Sequence, residues 1–163
     1  MMHRWKPNVT VAAIVQHEGR FLLVEEQTAD GLKLNNPAGH LDPGETPLQG
    51  VVREALEETA CAFTPEYFLG IYMSRFRHTR SGQDVTYLRL AFGGSVGEPD
   101  LHRPLDEGIV RAVWLTPDEI RACRDRHRSP LLLRCMEDAL GGKRLPLDAF
   151  YADASLFNPP AGP

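Results

Sequence analysis

The chain has 163 residues, 42% of them hydrophobic and 25% charged, which suits one globular domain over residues 1–163 with a sizeable core. Eighteen Lys and Arg against 22 Asp and Glu give a net charge of −4, so a nucleic acid polymer is not an expected partner. Cys61, Cys123 and Cys135 are scattered and form no Cys-x-x-Cys pair, which argues against a disulfide frame or a zinc site and for a reducing, cytoplasmic setting. No apolar run reaches the length of a membrane span, and the first seven residues lack the apolar core of a signal peptide.

Taken in chain order, residues 9–15 are rich in β-branched side chains and predict a strand. His17-Glu18-Gly19-Arg20 predicts a turn and residues 21–25 a second strand, so the pair should form a hairpin. Residues 27–33 are expected to be a polar loop, and Asn35-Asn36-Pro37-Ala38-Gly39 is turn chemistry running into Asp42-Pro43-Gly44. A helix should begin at the cap Thr46, with Pro47 at its first position and Gln49 completing a capping box, and run to about Thr59. Strands are expected at 68–77, 85–92 and 109–115. Thr116 should cap a short helix, and a last helix should run from Ser129-Pro130 to about Leu140, stopped by Gly141-Gly142. The core spans about residues 6–147, and the tail from Asn158 to Pro163 is expected to be loose. Strands interleaved with helices imply an α/β fold, a mixed β-sheet covered by helices on its faces.

The segment from Gly39 to Cys61 carries the chemistry. At 100° per residue, Leu48, Val52, Ala55, Leu56 and Thr59 share one arc of the helix, while Glu54, Glu57 and Glu58 share another. Carboxylates at i, i+3 and i+4 are neighbours and repel one another unless a positive charge lies between them. Three acids alone are as readily a solvated surface. As a cluster of oxygen donors they suit a hard cation, Mg2+ or Mn2+, which usually bridges to phosphate oxygens. Gly50 keeps the same face slim, Arg53 can reach Glu57, Glu45 can face the site, and the Gly39 loop lets backbone groups approach an ion or phosphate.

The full spacing resembles the box of the Nudix hydrolase family, Gly-x5-Glu-x7-Arg-Glu-aliphatic-x-Glu-Glu-x-Gly-aliphatic. Gly39, Glu45, Arg53, Glu54, Glu57 and Glu58 all match, a coincidence expected about once in 10⁷ starting points at ordinary residue frequencies. Ala60 stands where the family has Gly, which puts the end of the helix in question. Cys61 stands where the family has an aliphatic residue, and is expected to pack as a core cysteine. Lys6-Pro7, Phe21-Leu22, Asn35, residues 37–41, Trp114 and Ser129-Pro130-Leu131 look like the NudJ-type phosphatases of this family.

The resemblance implies an α/β/α sandwich, a Mg2+ cofactor with Mn2+ as a substitute, and hydrolysis of a phosphoanhydride in a small-molecule diphosphate or nucleotide. Glu54, Glu57 and Glu58 with the Gly39 carbonyl would form the metal shell, and Arg53 would orient Glu57. The NudJ type implies nucleoside di- and triphosphates or thiamine and hydroxymethylpyrimidine diphosphates as substrates, with orthophosphate released. A pyrophosphohydrolase of damaged triphosphates and a non-catalytic metabolite sensor are the alternatives. Glu107 is the expected general base, with Asp106 or a helix glutamate as rivals. Asn36, His40, Arg75 and Arg77 are candidate substrate contacts. Asn35 and Asn36 could read a ring edge or simply form the turn, and Arg75, Arg77 and Arg89 could hold phosphate or form a solvated strand face. Phe76, Tyr87 and Trp114 could stack on a base or lie in the core. A monomer and a homodimer fit equally.

Overall fold

The computed structural model describes residues 3–78 and 80–158, so the expectation for the tail falls mostly outside the described residues. Val11, Ala12, Ala13, Ile14 and Val15 are all buried, because β1 (Asn8–His17) lies centrally in a sheet covered on both faces. The chain turns at Glu18-Gly19 into β2 (Arg20–Thr28), as the hairpin reading expected. The two strands are joined near the turn, where Gln16 faces Phe21 and His17 faces Arg20. Beyond that seam each takes other partners. β1 pairs antiparallel with β4 (Ala38–His40) and in parallel with β6 (Asp84–Val96), which pairs antiparallel with β5 (Phe63–Arg77). β2 pairs antiparallel with both β3 (Gly31–Asn35) and β7 (Ile109–Leu115). The mixed sheet expected for the fold is present, as two half-sheets joined along the β1–β2 seam.

Two expectations change. Residues 27–33 are not a loop: β2 continues to Thr28 and β3 starts at Gly31, with Thr28 Oγ1 donating to the Gly31 carbonyl across a tight turn at 2.7 Å. The turn chemistry at 38–40 proves to be strand, because Thr10, Val11 and Ala12 of β1 pair with His40, Gly39 and Ala38. The polar residues of these strands, Lys33, Asn35 and His40, border the cavity described below.

Helix α1 (Pro47–Thr59) starts as expected. Thr46 Oγ1 accepts from Gln49 N at 3.2 Å, and the Gln49 side chain accepts from Thr46 N at 2.8 Å. α2 (Pro117–Ala122) has the same reciprocal cap between Thr116 and Glu119, and α3 (Leu131–Leu140) follows Ser129-Pro130. Strand alternation divides the core between these helices. Ala12, Ile14, Phe21 and Leu23 pack toward Ile120 of α2 and Leu132 and Met136 of α3. Val11, Ala13, Val15, Leu22, Phe68 and Phe92 pack toward Val51 and Ala55 of α1. Cys61 and Cys135 are buried, as a packing role requires. Among the described residues no helix is long and apolar enough to cross a membrane.

The buried face of α1 differs from the expected one. Gly50, Val51, Glu54, Ala55, Glu58 and Thr59 are buried, whereas Leu48, Val52 and Leu56 are only half-buried. The helix is rotated so that two of its acids turn inward, which apolar periodicity alone does not anticipate.

Candidate active site

Arg53 organises the acids of α1. Its Nη2 donates to Glu45 Oε1 at 2.7 Å and to the His40 carbonyl at 2.9 Å, and its Nε donates to Glu45 Oε2 at 3.1 Å. Its Nη1 donates to Glu54 Oε1 at 2.7 Å and to Glu57 Oε2 at 3.0 Å. One planar guanidinium thus ties the start of α1, the β4 strand and two helix acids into one unit. Glu45 is its first partner; it also accepts from Asp42 N at 2.7 Å, and the Arg53 charge holds the Glu45 carboxyl below its usual range. Gly50 makes room for this pair, since a Cβ there would lie 2.9 Å from Glu45 Oε1.

A cavity of about 650 Å³ opens between the two half-sheets, with Glu54 and Glu58 in its wall. The Glu54 carboxylate occupies the space where a side chain at position 39 would begin, so any larger residue there would have to displace it. Glu58 Oε accepts from Ala38 N at 2.9 Å. Burial raises the Glu54 carboxyl above the usual range despite Arg53. Burial also pushes Glu58 up to about 8, with the charges of Glu54, Glu26 and Asp106 adding to the effect. Buried carboxylates this close are costly without a cation.

The segment entering β7 closes the same end. Asp106 N donates to the Glu57 carbonyl at 2.9 Å, which fastens this loop to the last turn of α1. Asp106 and Glu107 both line the cavity, and Asp106 is the one whose charge acts on Glu54 and Glu58.

A NUDIX domain profile matches residues 5–135, most of the chain. The chain belongs to the Nudix hydrolase family. The phosphatase NudJ of Escherichia coli (strain K12) is 34% identical over 145 residues, covering 88% of this chain and 90% of that protein. A solved NUDIX hydrolase from Nitrosomonas europaea is 49% identical, with a TM-score of 0.83 over 91% of this chain and 98% of that one. The NUDIX domain of Shewanella oneidensis NrtR, solved with ADP ribose, shares the fold at 18% identity and a TM-score of 0.63, over 85% of this chain and 90% of that one. The chain is therefore a Nudix phosphohydrolase acting on phosphoanhydrides, similar to NudJ.

The Nudix family typically uses a divalent metal, and the donors here suit one: clustered carboxylate oxygens, partly desolvated, beside the Gly39 backbone. Among the described residues no three acids converge as ligands, because Arg53 Nη1 stands between Glu54 and Glu57. Glu57 leans to Arg53 at the rim and does not line the cavity, while Glu54 and Glu58 do.

The other Nudix site candidates divide. His40 lines the cavity, its ring 6.1 Å from that of Tyr87. Arg75 and Arg77 do not. On β5 the alternation turns Ser74, Phe76 and His78 toward the cavity and the two arginines to the opposite face, where Arg75 pairs with Asp84. Both arginines are exposed, as the solvated-face alternative for this strand expects. Asn36 is buried outside the cavity lining, whereas Asn35 lines it. Trp114 lies away from the cavity beside His17.

Residues that sequence reasoning passed over also line the cavity. Glu26 pairs with Arg128 at 2.8 Å, and Lys33 donates to the Asp125 carbonyl at 2.8 Å. No alternation marks Glu26, because β2 runs from the apolar Phe21-Leu22-Leu23-Val24 straight into the polar Glu25-Glu26-Gln27-Thr28. Phe76 and Tyr87 stack with centroids 5.5 Å apart, and His78 meets Phe76 edge-on at 4.8 Å. His40, Tyr87, Phe76 and His78 form a row of rings along one wall.

Proposed function

We propose that this enzyme is a Mg2+-dependent phosphatase, with Mn2+ able to substitute, that hydrolyses nucleoside di- and triphosphates or thiamine-type diphosphates and releases orthophosphate. The observation that carries the reading is the pair of buried acids, Glu54 and Glu58, at one end of a cavity whose wall is a row of rings. A diphosphate ester with a planar group has the matching polarity, and the likeness to the phosphatase NudJ supports phosphate release.

Glu54, Glu57, Glu58 and the Gly39 carbonyl would hold the ion. When bound, the metal supplies neutralisation of phosphate charge and a lower pKa for an attacking water. Arg53 fixes Glu54 and Glu57 through paired hydrogen bonds, so the two carboxylates need not be ordered when substrate arrives. Asp106 or Glu107, at the mouth of the same acidic end, accepts the proton of the water. The ring wall orients the remainder of the substrate.

The test is a panel of nucleotides and thiamine-type diphosphates assayed with Mg2+ for orthophosphate and pyrophosphate separately. Orthophosphate from diphosphates is expected, and Glu57→Gln should lower kcat about a hundredfold or more with an unchanged circular dichroism spectrum. Pyrophosphate as sole product from triphosphates would establish the pyrophosphohydrolase instead.

A further inference from the structure

Arg89 of β6 is buried, and among the described residues no carboxylate pairs with it. Its Nη1 donates to Asn36 Oδ1 at 2.8 Å and its Nη2 to Asn35 Oδ1 at 3.0 Å. The Cys135 thiol lies beside it, and Glu58 acts on it only through space. A buried guanidinium served by two neutral amides costs more than one paired with an acid, so the arrangement calls for a use.

The chemistry of the contact fixes the amides. A guanidinium carries donors and no acceptor, so both asparagines must turn their carbonyl oxygens to it. Each NH2 group then faces away. Asn35 lines the cavity, and its NH2 is what the cavity is offered at that point. Asn36 spends its amide on the same guanidinium outside the lining.

Position matters as well. His40, Thr10 and Arg89 sit in register across β4, β1 and β6. Arg89 therefore lies two strand spacings, roughly 10 Å, from the strand that touches Glu54. Tyr87 of the ring wall is two residues before Arg89 on the same strand face. Asn35 lines the same cavity as the acids and the ring wall, within reach of the part of a substrate that carries no phosphate.

We infer that Arg89 is a positioning residue that locks the Asn35 amide with its donors toward the cavity, and that Asn35 thereby selects leaving groups whose ring edge presents a hydrogen-bond acceptor, such as a keto oxygen, over those that present an amino group. This rests on the reading of the site as a nucleotide-type phosphohydrolase. Opposing two donors leaves both unpaired on binding, and a site built to pair with one group rejects a mismatched one strongly.

The experiment uses matched pairs that exchange a keto oxygen and the neighbouring ring N–H for an amino group and a bare ring nitrogen: UDP against CDP, and IDP against ADP. The wild-type enzyme is expected to favour the keto member of each pair by roughly tenfold or more in kcat/KM, chiefly through KM. Asn35→Asp keeps an oxygen for Arg89 but turns a second oxygen to the cavity, and should abolish or reverse the preference. Asn35→Ser, which replaces the two amide donors with a shorter hydroxyl that donates or accepts, should bring it close to unity. Arg89→Lys should weaken it by releasing the amide, with kcat less affected than KM. Asn36→Asp makes the same exchange against the same guanidinium outside the lining and should retain the preference. UMP and CMP binding, measured by calorimetry, reads the same discrimination without turnover. No preference in the wild-type enzyme, or a preference that survives both Asn35 variants, would overturn the inference. Failure to hydrolyse any of the four diphosphates while UMP is still favoured over CMP would instead count against the phosphatase reading and leave Asn35 as the selective group.

Discussion

Ala60 ends α1 in a left-handed conformation, with φ at 59° and ψ at 14°, and its N–H donates to the Leu56 carbonyl at 2.9 Å. The family box has glycine at this position, and the structure keeps the glycine conformation with a residue that carries a Cβ. Such a conformation costs an alanine about 1 kcal/mol. The Ala60→Gly variant should be more stable by about 0.5–1 kcal/mol, seen as a higher urea midpoint with an unchanged slope. A lower midpoint would show that the Cβ packs well enough to outweigh its strain. The box acids should not move with the exchange, because Glu54, Glu57 and Glu58 precede the turn and are held by Arg53 and Ala38.

At the scale of elements, β2 is joined to its neighbours by charge as well as by backbone. Glu25 is buried, and its carboxylate accepts from Arg111 Nε of β7 at 2.6 Å and from Arg126 Nη2 after α2 at 2.7 Å. The hydrogen bonds from Arg111 and Arg126 hold the Glu25 carboxyl below its usual range. A lowered folded-state pKa means that the stabilisation is complete above the ordinary glutamate value of about 4.3 and is lost as pH falls through the folded value. Glu25→Gln should cost about 1–2 kcal/mol at pH 7 and should flatten the loss of stability on acidification below about pH 4.3. Thermal melts of both proteins from pH 7 to pH 3 check this, and equal acid dependence would remove Glu25 from the account.

Helices were the legible elements. Thr46-Pro47 with Gln49 and Thr116-Pro117 with Glu119 mark both starts locally, and α1 and β7 fall where expected. β3 and β4 were not legible, because their polar residues read as loop and their pairing depends on partners far along the chain. The same limit applies to the site. The box spacing brought Arg53 and the acids together, but periodicity alone put Glu54 and Glu58 on a solvated face. Among the β5 and β6 arginines, alternation separates the faces but not which face borders a cavity, so Arg89 was indistinguishable from Arg75 and Arg77.

For the whole molecule, the acidic end of the cavity stores unfavourable electrostatics. Glu58 is pushed up to about 8, so the folded protein holds a proton there that the unfolded chain has already released. Stability should therefore fall as pH rises from about 4.3 toward 8 when no divalent cation is present. Mg2+ at saturating concentration should raise the melting temperature by roughly 5–10 °C at pH 8.5 and by less at pH 6, since a cation binds the ionised form. In Glu58→Gln the pH dependence and the Mg2+ effect should both shrink. A Mg2+ effect of equal size at the two pH values would separate binding from Glu58.

The narrow seam between β1 and β2 also has a mechanical consequence. The half-sheets share the register pairs at Gln16–Phe21 and His17–Arg20, close to one end. Farther along, Arg89 spans from one half to the other through Asn35 and Asn36. The two halves are therefore tied at both ends of the seam, by backbone pairing at the hairpin and by one buried guanidinium beside the cavity.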